Sequence, residues 1–119
     1  MRDMDFLSDK KLSNSQGKIY VGRTSGFGDP LSIMYRRFSS HHMRPIGYGN
    51  PRLDVAAQGI AGRYAIRGRE QQLIDFYGGV GSPRVGNSIR GVSRSNPAGR
   101  GFHLLSNQYF GPLAPYTGF

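Results

Sequence analysis

Glu70 is the only glutamate in this chain, in which seven acidic residues face 16 basic ones. It lies in "RGREQQLID", with Arg67 three residues ahead and Arg69 beside it. On a helix this spacing permits two readings. One is a solvated glutamate paired with neighbouring arginines, worth about 0.3–0.5 kcal/mol. The other is a hard-oxygen ligand for Mg²⁺, an ion that binds through one or two carboxylates together with substrate phosphates. A second group lies in "YRRFSSHHM", where Arg37 and His41 stand four apart and share a helix face, while His42 points about 100° away. Cations there suit the end of a helix dipole, and equally a phosphate clamp beside an acid–base group of near-neutral pKa. Tyr20, in "GKIYVGRTSG", belongs to a short strand with Ile19 and Val21 turned inward and the phenol outward, where its hydroxyl needs a polar partner. Asn87 and Asn96, in "GNSIRGVSRSNP", are ordinary turn formers by type. "GRTSG" looks like a phosphate-cradling loop only on the surface, since it lacks the lysine and the spacing of one.

These residues need elements to position them. Met4 to Leu7 and Lys18 to Gly22 read as two strands of a hairpin joined by a long polar loop. "TSGFGDP" is turn chemistry, and Leu31, Met34, Tyr35 and Phe38 recur at helical spacing, predicting a helix over about 30–40 with Pro30 in its first turn. "RPIGYGN" breaks regular structure. "LDVAAQGIAGRYAI" is ambiguous between a glycine-interrupted helix and a loop followed by a strand. The clearest helix starts near Arg67, repeats Leu73, Ile74, Phe76 and Tyr77 on one face, and stops at Gly78–Gly79. Beyond it, Gly, Ser, Asn and Pro dominate with no convincing period, predicting an irregular but ordered tail.

A chain of 119 residues suits one domain with one small core, here a motif-bearing part over 1–90 and a loop-rich extension over 91–119. Its hydrophobic content of 37% with 18 glycines predicts a loop-rich fold. No apolar run is long enough for a membrane span, and no apolar leader segment is present, so no membrane insertion is expected of this domain. With no cysteine, thiol nucleophiles and cysteine zinc sites are excluded. The net charge is +9, and arginine outnumbers lysine 13 to 3. Guanidinium forks suit bidentate phosphate contact, and a balance this basic points to a polyanion partner, with solubility or an acidic protein partner as the alternative explanations.

The motifs also fall in a telling order: a strand tyrosine followed by glycine, a helical arginine and histidine, a helical glutamate, then an asparagine. "YVGRTSG", "RRFSSHHM", "AIRGREQQLID" with "GG", and "NSIRGVSRSNP" resemble the GIY-YIG nuclease family over roughly residues 4–90, and more narrowly the GIY-YIG toxin domains of bacterial polymorphic toxins of the Rhs type. No literal "GIY" precedes Tyr20, and Phe6 of "MDFL" stands nearest the place of the family's first tyrosine. The resemblance implies an α/β fold, a small three-stranded antiparallel sheet flanked by helices. It implies a DNA endonuclease of low sequence specificity that uses Mg²⁺ or another divalent cation such as Mn²⁺. Glu70 would hold the metal, Tyr20 would help activate water, and Arg37 would stabilise charge on phosphorus. His41 or His42 would assist proton transfer and Asn87 would fix its loop. Arg23, Arg36, Arg67 and Arg69 would contact nucleic acid. The implied partners are DNA, an acidic cognate immunity protein and a larger toxin that delivers the domain by secretion into the cytoplasm of a target bacterium. Two competing readings remain: a metal-independent RNase toxin using His41, His42 and His103, and a non-catalytic basic module that binds nucleic acid.

Overall fold

A computed structural model describes residues 3–8, 12–13, 18–27 and 53–119. The expected helix over 30–40 and, with it, Arg36, Arg37, His41 and His42 lie outside the described residues.

The chain has mixed helix and strand content. The strands are β1 (Asp3–Ser8), β2 (Leu12–Ser13), β3 (Ile19–Tyr20), β4 (Arg23–Phe27) and β5 (Leu53–Gln58), followed by helices α1 (Gly59–Phe76) and α2 (Gly99–Phe110). β1 is central, antiparallel to β4 on one side and to β5 on the other, with Phe6 opposite Thr24 and Ala56. This differs from the expected hairpin. The partner of β1 is Arg23–Phe27, part of which reads as turn chemistry, while Ile19–Tyr20 pairs with Leu12–Ser13. The glycine in "RTSGF" hides a strand because pairing with β1 satisfies its backbone whatever its local propensity. Ile19 is held from the other side as well. Its N–H donates to the Arg84 carbonyl (2.8 Å) and its carbonyl accepts from Gly86 N–H (2.7 Å), so the 84–86 segment runs beside β3.

"LDVAAQGIAGRYAI" contains both of the alternatives it suggests: β5 runs to Gln58 and α1 begins at Gly59, eight residues before the expected start near Arg67. The stop is where the glycine pair predicts it, with Gly78 and Gly79 N–H groups donating to the Asp75 and Ile74 carbonyls. One face of α1 builds the core. Ile66, Leu73 and Ile74 pack with Val21 and Val85, flanked by Ile19, Val55, Tyr77, Phe110 and Leu113.

The tail is not irregular throughout, because it folds into α2. Its buried residues are Gly99, Phe102 and Ser106, a face at helical spacing in which two of the three side chains are small, set in a stretch whose glycines read as loop. What holds it is contact with α1. Gly68 meets the backbone of α2 so closely that a Cβ there would lie 2.1 Å from the Phe102 carbonyl oxygen. Beside that contact, the buried Gln72 amide donates to Asn107 Oδ1 (2.7 Å) and lies 3.2 Å from His103 Nδ1, while its oxygen accepts from Ser106 Oγ (2.6 Å). The amide donor makes Nδ1 an acceptor and leaves the ring proton on Nε2. Burial lowers the His103 pKa, with Arg100 acting in the same direction and Asp75 against it.

Gly68→Ala is expected to lower the melting temperature although alanine is the better helix former. Overpacking against a backbone carbonyl costs about 1–3 kcal/mol, more than the ~1 kcal/mol that the propensity returns. Thermal unfolding followed by circular dichroism checks this, and a higher melting temperature would contradict the close helix contact.

Candidate active site

Three short segments meet at one place on α1. The first is the end of β3 and the start of β4. Val21 is 1% exposed and packs in the core, and its neighbours Tyr20 and Gly22 are half-buried. The second is the 84–87 segment. Asn87 Oδ1 accepts from Val21 N–H (2.9 Å) and Asn87 Nδ2 donates to the Val21 carbonyl (2.7 Å). A side-chain amide that closes both backbone groups of one residue acts as a sheet partner, so Asn87 does more than shape its own turn. It fixes the backbone between Tyr20 and Arg23.

The third segment carries Glu70. Its residue is only 8% exposed, which excludes the solvated reading and places the carboxylate inside the protein. Arg23 Nε lies 3.3 Å from Glu70 Oε1, with the arginine side chain 42% exposed and the glutamate side chain 11%. The lid over the carboxylate is Gly91, where a Cβ would come within 2.6 Å of Oε1. A side chain at that position would have to push the Glu70 carboxylate aside. The segment is held down by Val92 N–H donating to Gln71 Oε1 (3.0 Å) and by Arg90 Nε donating to the Val92 carbonyl (2.8 Å). Neither Gly91 nor Gln71 stands out in the sequence, since a glycine in a glycine-rich tail and a glutamine in a helix carry no pattern.

Burial pushes the Glu70 carboxyl above the ordinary carboxylate range, opposed first by the Arg23 charge and then by that of Arg67. Arg67 lies with its guanidinium carbon 4.9 Å from the centre of the Phe102 ring, and its buried Nε has no hydrogen-bond partner. Such a donor beside a carboxylate is an unspent polar group at a charged site. Arg69, expected at nucleic acid, is committed elsewhere. Its Nε and Nη2 donate to Asp54 Oδ2 and Oδ1 (2.8 and 3.4 Å), and both side chains are largely buried. The pair ties α1 to β5, because a carboxylate at that distance on a neighbouring strand holds a guanidinium fork better than a dispersed phosphate can.

The site thus gathers Arg23, Arg67 and Glu70, with Asn87 holding the backbone between Tyr20 and Arg23. The described residues contain no group of three or more His, Asp or Glu side chains that could enclose a metal ion. One hard carboxylate oxygen among arginines nevertheless fits a divalent cation such as Mg²⁺, which keeps its waters and takes further oxygens from a substrate phosphate.

The raised Glu70 pKa has a sign that can be tested. Because the folded chain binds this proton more tightly than the unfolded one, the stability linked to it is present below the ordinary value of 4.5 and is lost as pH rises through the raised value. Glu70→Gln, which cannot ionise, is expected to melt higher than the parent chain at pH 8, with the difference shrinking towards pH 4. Melting curves across that range check it, and a lower melting temperature at pH 8 would show that the ion pair with Arg23 outweighs the cost of burial.

Compared with known proteins, the chain matches no family model, no curated protein and no solved structure.

Proposed function

We propose that this chain is a metal-dependent endonuclease that hydrolyses phosphodiester bonds of DNA with little sequence specificity, a GIY-YIG-type toxin domain of a secreted bacterial polymorphic toxin. The observation that carries the reading is convergence. Asn87 clamps Val21, the residue between Tyr20 and Gly22, and the adjoining Arg23 reaches the one glutamate of the chain. Three of the four sequence blocks that resemble the family therefore meet around a buried carboxylate, and a three-stranded antiparallel sheet flanked by helices belongs to the same reading. No helix among the described residues is long and apolar enough to cross a membrane.

A Mg²⁺ or Mn²⁺ ion at Glu70 would supply a Lewis acid for the scissile phosphate. The chain's own residues do the rest. Arg23, half exposed, offers its guanidinium to a phosphate oxygen while its inner edge stays on the carboxylate. Tyr20 orients the attacking water, which passes its proton to His41 or His42 as it adds to phosphorus. Arg37 balances the charge that develops there, and His41 or His42 returns a proton to the leaving oxygen. Asn87 keeps the Tyr20–Arg23 turn in register with Glu70. Low specificity follows from contacts made to phosphate rather than to bases. A domain of this kind acts in the cytoplasm of a target bacterium, arrives as part of a larger secreted toxin, and is neutralised in its producer by an acidic immunity protein that fills the basic groove.

The purified chain is expected to nick supercoiled plasmid with Mg²⁺ and to leave it intact in EDTA, with total RNA as the parallel substrate. Glu70→Gln should abolish the metal-dependent cutting while retaining DNA binding, and Tyr20→Phe should slow it on the order of 10²-fold, the scale of lost acid–base assistance. Cutting in EDTA would remove the metal from the reaction, and full activity of Glu70→Gln would remove the site. Arg37→Ala should cost on the order of 10²–10³ in single-turnover rate, the scale of losing a positioned donor at a developing charge.

A further inference from the structure

The C-terminal end of α1 carries a second basic feature that the reading above does not use. An open groove of about 410 Å³ lies there, lined by Asp75, Val80, Arg90, Arg94 and Thr117 together with the glycine pair that ends the helix. That volume is within the ~300–1,000 Å³ common for ligand sites. The carboxylate in its wall is already engaged. Asp75 Oδ1 accepts from Gln71 Nε2 (3.0 Å), Oδ2 accepts from Thr117 Oγ1 (2.7 Å), and Arg90 stands 3.9 Å away. Arg94 is exposed, and one of its amino groups donates to the Thr117 carbonyl (3.1 Å), which aims the fork along the groove wall. With two guanidinium groups against one carboxylate, the groove lining carries a net positive charge, which favours an anion.

Next to Asp75 along the helix, Phe76 is 54% exposed, its ring meeting that of the half-buried Tyr77 edge-on at 5.2 Å. Arg84 lies over the Tyr77 ring, 5.3 Å from its centre. An exposed ring with arginines nearby is a feature of surfaces that bind unpaired bases, because every base has a face to stack and every nucleotide a phosphate to neutralise. A duplex hides its base faces and cannot use such a ring.

We propose that this end of α1 binds an unpaired nucleic-acid strand, with a backbone phosphate between Arg90 and Arg94 and a base stacked on Phe76, so that the chain prefers single-stranded or locally opened DNA. The inference rests on reading the chain as a nucleic-acid enzyme, and its test is independent of cleavage. Binding of a labelled 15-nucleotide oligo(dT), and of a duplex of equal length, is measured by fluorescence anisotropy in EDTA at several salt concentrations. Phe76→Ala is expected to weaken oligo(dT) binding by about 5–100-fold, the range for losing one stacked base, while duplex binding changes less than twofold. Arg94→Ala should weaken oligo(dT) binding and reduce its salt slope by about 0.7, the share of one phosphate on a single strand. Leu104→Ala, another exposed apolar residue, on α2, serves as control and should change neither. Equal losses on both substrates, or losses from Phe76→Ala no larger than from Leu104→Ala, would overturn the proposal. A chain that binds oligo(dT) through Phe76 and Arg94 but cuts no nucleic acid would overturn the nuclease reading and leave this one standing.

Discussion

The contact between Arg23 and Glu70 is the interaction on which the described structure turns. A carboxylate withdrawn from water costs free energy unless charge or hydrogen bonds replace its hydration, and here the replacement comes from a residue 47 positions earlier in the chain. For Arg23 to reach Glu70, β4 must leave the Tyr20–Gly22 turn in one direction, and that direction is set by the Asn87 amide on Val21. For Glu70 to stay dry, the 90–92 segment must lie across it, which the Gln71–Val92 hydrogen bond ensures. Sheet, helix and tail are thus joined around one charge.

The burial of that carboxylate is unfavourable for stability, and the charges of Arg23 and Arg67 offset part of its cost. The surrounding cost is borne by the helix pair. Gly68 allows α1 and α2 to touch backbone to backbone, and the Gln72 network satisfies every polar atom named in it without water. A rigid α1 matters because Glu70, Arg67 and the groove near Asp75 all ride on it, so their spacing is the spacing of one helix.

The arginines divide by what their neighbours offer. Arg69 finds Asp54 in fork geometry and becomes part of the framework. Arg67 lies over an aromatic ring with an unspent donor. Arg23 keeps nearly half its surface in water while touching the carboxylate, and Arg94 stays exposed at the groove. Among the described residues the basic charge is therefore not a uniform coat: Arg69 builds the fold, while Arg23, Arg67 and Arg94 lie on α1 or on segments that meet it.

Much of this was legible in the sequence where local rules decide. The inward Val21, the buried Leu73 and Ile74, the glycine stop and the singularity of Glu70 follow from residue type and period, because side-chain direction in a strand or helix is set within a few residues. Phe76, expected on the same face as Ile74, is instead 54% exposed. Tertiary contact decided the rest. Arg23–Phe27 is a strand because β1 is there to pair with it, and α2 is a helix whose buried face is Gly99, Phe102 and Ser106 because α1 offers Gly68 and Gln72 to meet it. Whether Glu70 faces water or protein could not be read from its own helix, where three residues in a row from Glu70 to Gln72 are buried and break any amphipathic period. Its burial is imposed by Gly91, 21 residues further on, and by Arg23, 47 residues before. Local sequence sets the conformation of a segment, but the dielectric around a charge belongs to whatever the rest of the chain packs against it.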